Sequence, residues 1–331
     1  MSEINILIPG LFWKNTSDIN YIYQSLNTPN LNKLLNHASY KILKQQSLSQ
    51  IFYLLKNNIN AISQAELFAT QLNITNQYHN FLLCEPTYLR LDRNRLLISE
   101  AELLQLAEDE AKQYIELINN HFNNEIKIYY IHEELWLLGH NYSTNKHIRP
   151  PIIDIIGENI DDYMDRDNDY GHKLNTIINE IQMLLYNCAY NKLRESDGLL
   201  SLNSVWLSDI NLSSLTLPKF NVIYTNSLKK IFNDAKPFTI DTLANLLTSD
   251  ILILDELYYP NCYLDKFGYI DKLNSLDRKI FAKLRNIPNK SINLIVPQSE
   301  QTIIIKISKP NILNRWRKTN IMKLTKDIYE T

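Results

Sequence analysis

The sequence feature that most constrains the fold is a short apolar run close to its start. Residues 4–8 read Ile-Asn-Ile-Leu-Ile, and Pro9 and Gly10 end the run before helical sequence leads into residues 28–34. An apolar run of this length, closed by proline and glycine, is typical of a buried strand. Further strands are predicted at 220–225, 251–254, 292–296 and 302–307, with helices near 227–235, 239–248 and 268–286. Strands that alternate with helices predict an α/β fold with a doubly wound, mostly parallel sheet.

The middle of the chain has a different pattern. Residues 88–91 and 96–98 flank a polar turn, a helix with one apolar face covers 111–122, and two strands follow at 127–131 and 135–138. This order predicts a small inserted α+β domain over 82–168. The apolar stripe from Leu174 to Leu185 predicts a helix that returns to the core, so the core comprises 1–81 and 169–331.

Composition excludes several classes of protein. The 331 residues carry 34 Lys and Arg against 36 Asp and Glu, a net charge of -2, which gives no general attraction to nucleic acid or to anionic membranes. No apolar run reaches the roughly 20 residues of a membrane span, and no signal peptide is recognisable, so we expect a cytoplasmic protein with no membrane partner. Cys84, Cys188 and Cys262 are expected to be reduced thiols, mostly packed in the interior. With six glycines and neither GxGxxG nor GxxxxGK[ST], a nucleotide cofactor is not expected.

Several segments resemble one enzyme superfamily. The opening strand with its glycine turn, followed by TPNLNKL at 28–34, resembles the start of alkaline-phosphatase-superfamily enzymes, including cofactor-independent phosphoglycerate mutases. EPTYLRLDRNRLLI at 85–98 and the helix at 107–122 are similar to the archaeal-type mutases where these enter their inserted domain. These two segments resemble even more the bacterial RpfE-type regulatory protein family, a degenerate relative of those mutases. The block NEIQMLLYNCAYNKLRESDGLLSLNSVWL at 179–207 is similar to the strongest signature of that family. Ser208 and Asp209 depart from it, since that family usually continues with glycine.

The resemblance implies an alkaline-phosphatase-like fold without its metal chemistry. In those enzymes the residue before the turn glycine is a metal-binding aspartate, and here it is Pro9, which has no ligand atom. Two metal ions held by Asp and His residues serve a serine nucleophile, yet no histidine follows His172. Asp255, at the end of a predicted strand, is a remnant candidate for one ligand, or a cap or strand-end hydrogen-bonding group. An enzyme would need ligands from positions such as Asp18, His37 or His172.

The nucleophile and the tail each leave two interpretations. Ser47 and Ser49 lie roughly where the resemblance implies the nucleophile, although serine at a helix start more often caps it. Trp206 lies in apolar sequence and is expected in the core rather than on a binding surface. Basic residues around Trp316 could contact nucleic acid, but we expect the ring to pack on the core and the charges to lie in water, so nucleic acid is not an expected partner.

What remains is a predicted anion-binding crevice. Five residues lie on the matched segments, namely Arg90, Arg93, Asn191, Arg194 and Asn203. A guanidinium group can hold phosphate or carboxylate through parallel hydrogen bonds, although Arg93 could be solvated and Arg194 could pair with Glu180 or Glu195. The expected function is therefore non-catalytic and regulatory, through a protein partner or a phosphorylated metabolite, without metal or cofactor. The alternative is a metal-dependent mutase or phosphatase with atypical ligands.

Overall fold

The fold is described from a computed structural model that covers residues 2–36, 38–44, 47–56, 63–143, 149–210, 220–225, 235–287, 290–298, 301–307 and 320–329. The chain divides into two compact units. The first comprises Met1–Asn57 and Thr216–Thr331, and the second comprises Asn58–Leu215. No helix among these residues has the length and apolar character needed to cross a membrane.

The strands, in chain order, are β1 (Ser2–Leu7), β2 (Ala38–Lys44), β3 (Asn80–Thr87), β4 (Leu89–Asp92), β5 (Arg95–Ile98), β6 (Ile126–His132), β7 (Leu135–His140), β8 (Ser204–Ser208), β9 (Val222–Tyr224), β10 (Asp250–Ile253), β11 (Lys290–Pro297) and β12 (Gln301–Ile307). The α-helices are α1 (Ile19–Ser25), α2 (Pro29–Leu35), α3 (Leu48–Lys56), α4 (Gln64–Gln71), α5 (Glu108–Phe122), α6 (Ile152–Ile155), α7 (Asp169–Tyr186), α8 (Ala189–Ser196), α9 (Tyr258–Cys262), α10 (Lys266–Leu276), α11 (Ala282–Arg285) and α12 (Ile321–Tyr329).

The first unit is built on a mixed sheet with the order β2-β12-β11-β1-β10-β9 in the described residues. The four strands β9, β10, β1 and β11 run parallel, and β12 and β2 continue the sheet antiparallel. β1 lies centrally and its residues 4–7 are buried, which explains why this part of the strand is mostly apolar. The predicted α/β class with a mostly parallel sheet is confirmed, and the antiparallel edge strand β2 is an addition that the sequence did not predict.

The second unit has an antiparallel sheet of order β6-β7-β3-β8, and β4 and β5 form a separate hairpin. Its core joins apolar residues of α5 and α7 to this sheet, among them Tyr114, Ile118, Ile177 and Ile181. The aliphatic face of each helix thus packs on one face of the sheet. This mixture of helices with an antiparallel sheet is the α+β pattern.

The boundaries of the second unit differ from those predicted for the insert. It spans Asn58–Leu215 rather than 82–168, because α7 and β8 pack within it. The apolar stripe of α7, which was expected to return to the core, contacts the β3–β8 sheet instead. Hydrophobic periodicity reveals that a helix has a buried face, but it does not specify which of two cores that face enters.

Some helix predictions need correction. The segment 239–248 contains a 3-10 helix at Ile240–Asn245, and the helix predicted at 268–286 is divided into α10, a π-helical turn at Asp277–Phe281 and α11. The helix predicted near 227–235 lies almost entirely outside the described residues. Cys84 and Cys188 are buried and Cys262 is half-buried, and all three are free thiols, as predicted.

Candidate functional site

The carboxyl ends of the parallel strands are where an open α/β sheet places its ligands. In the first unit, β1 and β10 end there side by side, with Leu7 paired to Ile253. The ladder continues for one residue, since Leu254 N donates to Leu7 O at 2.9 Å. Pro9 and Asp255 therefore occupy equivalent positions at the ends of neighbouring strands, which is where a metal-binding pair of carboxylates would have to lie.

Apolar side chains fill the turn after Pro9. Leu11, Phe12 and Trp13 are 1 %, 1 % and 0 % exposed, and all three belong to the core of the first unit. The ring centroids of Trp13 and Tyr269 lie 5.0 Å apart, and the Tyr269 hydroxyl donates to Leu11 O at 2.6 Å. We call residues 8–13 the strand-end plug. It places hydrocarbon beside the first strand end, where a phosphoryl-transfer site requires polar groups and ions.

The strand-end plug is held in place by the segment that follows β10. Asn261 Nδ2 donates to Gly10 O at 3.0 Å and to Phe12 O at 2.6 Å, and Asn261 Oδ1 accepts from Lys14 N at 3.0 Å. Gly10 has a φ of +77°, and a Cβ atom there would lie 2.7 Å from Leu257 O. The backbone thus turns back against this segment in a way that requires glycine.

Asp255 is a carboxylate residue at the end of β10 on this edge. It is 8 % exposed, its carbonyl oxygen accepts from Tyr258 N at 2.9 Å, and the neighbouring Glu256 is exposed. Within the described ranges, no group of three or more His, Cys, Asp or Glu side chains is arranged to hold a metal ion. Proline, hydrocarbon side chains and one buried carboxylate do not fit a pair of divalent metal ions, which need several oxygen or nitrogen ligands.

The other positions considered for catalysis have different surroundings. Asp18 pairs with Lys266 at 2.8 Å, and His172 is exposed on α7. Ser47 caps α3, because its hydroxyl accepts from Gln50 N at 3.4 Å while Gln50 Oε1 accepts from Ser47 N at 2.9 Å. This reciprocal pattern is a capping box, as the cap interpretation predicted. His37 and Trp316 lie outside the described residues, as does most of the basic tail.

Two of the five crevice residues lie buried on α8. The Asn191 amide accepts from Tyr114 Oη at 2.7 Å and Leu202 N at 2.9 Å, and donates to Leu185 O and Leu202 O. Arg194, 3 % exposed, donates from Nη1 to Glu110 Oε1 at 2.6 Å, from Nε to Leu200 O at 2.7 Å, and from Nη2 to Leu104 O. These bonds tie α8 to α5 and to the chain before β8.

The other three crevice residues belong to or adjoin the β4–β5 hairpin. Asn203 bonds to both backbone groups of Leu89, accepting at 2.7 Å and donating at 3.0 Å, and so fixes the start of β4. Arg90 and Arg93 are exposed, and Arg93 has a φ of +57° in the tight turn. Asn191 and Arg194 thus both lie in the interior, each bonded to other residues, whereas Arg90 and Arg93 lie on the surface.

Sequence reasoning missed two carboxyl groups of the second unit, one on a half-buried residue and one on a buried residue. The carboxyl of Glu85, on β3, accepts from Ile152 N at 3.1 Å and from the Ser208 hydroxyl at 2.8 Å, and burial raises its pKa to about 7. Asp209, 7 % exposed, accepts from the Ser63 hydroxyl and from Ala65 N at 3.0 Å, and burial raises its pKa to about 6.

Asp209 departs from the glycine of the resembling family, and this departure was the available signal for the second carboxyl group. Its carboxyl group ties the end of β8 to the start of α4. Trp206 lies in the middle of β8, on the same face as Ser204 and Ser208. It is 2 % exposed and thus belongs to the interior, as predicted.

Comparisons with known proteins give structural similarity at low sequence identity. No protein-family profile matches the chain, and no curated protein matches it. Over 98 % of its length it is similar to the cofactor-independent phosphoglycerate mutase from Thermoplasma acidophilum DSM 1728, with 95 % of that chain covered, 15 % identity and a TM-score of 0.41. Over 98 % it is also similar to the PH0037 protein from Pyrococcus horikoshii, with 92 % of that chain covered, 10 % identity and a TM-score of 0.47.

Proposed function

We propose that this chain is a non-catalytic, phosphoglycerate-mutase-like protein that acts by binding a phosphorylated small molecule, with a protein partner as the alternative. The single observation that carries the proposal is the strand-end plug. Pro9 stands at the strand end opposite Asp255, and buried Leu11, Phe12 and Trp13 follow it. Two-metal phosphoryl transfer needs cations at both the attacking and the leaving oxygen, and this edge of the sheet supplies few groups to hold them.

The experiment is elemental analysis of the purified protein after loading with manganese and zinc, together with turnover assays on phosphoglycerate and on a general phosphatase substrate. We expect no stoichiometric metal and no turnover. About two metal ions per chain, or activity that a chelator abolishes, would support the enzyme alternative instead. Asp255→Asn is then the informative variant, because it removes the buried strand-end carboxylate and leaves a side chain of nearly the same size.

Binding of a phosphorylated molecule is tested on the exposed arginines. Arg90 and Arg93 lie on the surface of the second unit, whereas the guanidinium group of Arg194 is used in internal hydrogen bonds. Phosphorylated three-carbon acids should stabilise the folded protein, by about 2.7 kcal/mol at 100 times the dissociation constant. The double variant Arg90→Ala, Arg93→Ala should lose this effect. If the parent protein shows no effect at millimolar ligand, the protein-partner alternative is favoured.

A further inference from the structure

A buried arginine of the second unit has hydrogen-bond donors without partners. Arg149 is 3 % exposed, and its Nε and Nη1 atoms have no hydrogen-bond partner among the described residues. Only Nη2 is engaged, with Asn175 Oδ1 and, at 3.4 Å, with Gly171 O. Three N–H bonds of a charged group are therefore withdrawn from bulk water without acceptors. Such an arrangement is rare in native proteins because each unmade bond of a buried charged group is costly.

The nearby carboxylates do not supply these acceptors, because other donors use them. Asp165 accepts from Asp167 N at 3.1 Å and from the Asn168 amide. Asp209 accepts from Ser63, Ala65 N and Ile210 N, although its own backbone N–H donates to Arg149 O at 3.2 Å. The hydrogen bonds of the Asp165 carboxylate thus go to Asp167 and Asn168, and those of the Asp209 carboxylate go to Ser63, Ala65 and Ile210.

The remaining surroundings form a built site. The guanidinium carbon lies 5.5 Å from the centroid of the Trp206 ring, whose Nε1 donates to Pro150 O at 2.8 Å and fixes the indole plane. The first turns of α7 lie on another side, since Arg149 Nη2 donates to Gly171 O and Asn175 Oδ1. Burial lowers the pKa of Arg149 to about 10, so the group remains a cation at neutral pH. The positive charge and the unused N–H donors suit a negatively charged acceptor, while the indole face attracts the guanidinium group itself.

We propose that Arg149 forms the centre of a binding site for a small oxyanion, a phosphate or a single carboxylate group, beside Trp206 and the first turns of α7. Because Arg149 is 3 % exposed, we expect a ligand of a few atoms rather than a polymer. This site stands apart from the function proposed above, since it lies in the second unit and involves neither the strand-end plug nor Arg90 and Arg93. Metal-dependent turnover would contradict the proposed non-catalytic function but not the Arg149 site. A failure to bind oxyanions would contradict the Arg149 site but not the proposed non-catalytic function.

The test uses the full chain, with inorganic phosphate and acetate as probes and potassium chloride at equal ionic strength as reference. We expect one of the two oxyanions to raise the melting temperature saturably and to change tryptophan emission, and we expect Trp206→Phe to lose the emission change. Arg149→Lys keeps the charge but not the guanidinium geometry, so its affinity should fall at least tenfold. Arg166→Met is the matched control, since Arg166 is 64 % exposed and pairs with Asp161 on the surface.

Arg149→Met separates a binding role from a structural one. A buried charge without a bound ligand reduces stability. Replacing Arg149 by methionine, a side chain of similar size, should therefore leave the melting temperature without anion unchanged or raise it. The same change should abolish the response to oxyanion. A lower anion-free melting temperature, or a response equal to that of the parent, would overturn the proposal. So would a parent protein that responds to neither oxyanion beyond chloride, because internal water would then satisfy the guanidinium group. If Arg149→Met does not fold, the titrations of the parent and Arg149→Lys decide.

Discussion

The carboxylate of Asp277 accepts a hydrogen bond at 2.7 Å from the backbone N–H of Leu31, although the two residues are far apart in the sequence. Its other oxygen accepts from Asn30 N and from Asn30 Nδ2 at 2.9 Å. Asp277 is fully buried in the π-helical turn, whereas Thr28, the residue before α2, makes no capping hydrogen bond with its side chain in the described residues. The start of α2 is thus capped by a residue that is distant in the sequence, and not by Thr28.

Asp277→Ala should therefore destabilise the first unit by about 2–3 kcal/mol, because buried N–H groups at the start of α2 lose their acceptor. Asp277→Asn should lose less, since its amide keeps one accepting oxygen. Urea denaturation provides the measurement. Asp271→Ala, an exposed position on α10, is the control and should change stability by less than about 0.5 kcal/mol. Equal effects at the two positions would contradict the capping role.

Glu85 should make stability depend on pH. Burial raises its pKa from 4.5 to about 7, so the folded protein holds this proton more tightly than the unfolded chain does. The resulting stability is fully present below about pH 4.5 and is lost as the pH rises through about 7. The difference amounts to about 3 kcal/mol, at about 1.4 kcal/mol for each pH unit. Glu85→Gln should flatten the profile of urea midpoints between pH 5 and pH 7.

In the Glu85→Gln variant, Asp209 should still cause a smaller pH dependence of the free energy of unfolding. Its pKa is raised from 3.8 to about 6 by burial, so its contribution is lost between about pH 4 and pH 6. The slope that remains after Glu85→Gln should therefore lie at the acidic end of the range. A profile that is unchanged by Glu85→Gln would show that the carboxyl group of Glu85 is hydrated in the folded protein.

Arg194→Ala should destabilise the second unit by about 3–5 kcal/mol. The variant removes the buried partner of Glu110 and leaves the carbonyl oxygens of Leu104 and Leu200 without a donor. Arg95→Ala is the matched control, because its pair with Asp92 is 57 % and 45 % exposed and should contribute less than about 1 kcal/mol. Thermal or urea unfolding compares them. If Arg194→Ala changes stability little but abolishes anion binding, Arg194 belongs to the predicted anion-binding crevice after all.

Gly10→Ala should destabilise more than Gly198→Ala. Both glycines have positive φ angles, +77° and +74°, so alanine at either position costs about 1 kcal/mol for its backbone conformation. At Gly198 a Cβ atom would meet nothing within 4 Å, whereas at Gly10 it would lie 2.7 Å from Leu257 O. Only Gly10→Ala should therefore also disturb the strand-end plug, which near-ultraviolet circular dichroism of Trp13 and Tyr269 would report. Similar losses at both glycines would contradict the close packing.

The sequence predicted the type of most elements but not their partners. β1, β10 and β11 were predictable because each contains a mostly apolar run that is buried in the parallel part of the sheet. β2 was missed because Ala38–Lys44 has exposed polar positions at the sheet edge. Arg149 was missed because a charged residue before two prolines has the composition of a surface loop, and only its burial distinguishes it. Asn191 and Arg194 matched a family segment, yet sequence similarity does not specify whether a polar residue faces a ligand or the interior.

The topology also bears on the order in which the molecule can assemble during synthesis. The central strand β1 pairs with β10 and β11, with Asn5 opposite Ile251 and Ile4 opposite Ile292. The second unit, by contrast, is continuous and is complete once residue 215 has been made. On the ribosome it can fold while β1 still lacks both of its neighbours, because domains generally fold as units when their residues become available. β1 therefore lacks both of its partner strands through most of translation, until β10 and β11 have been made.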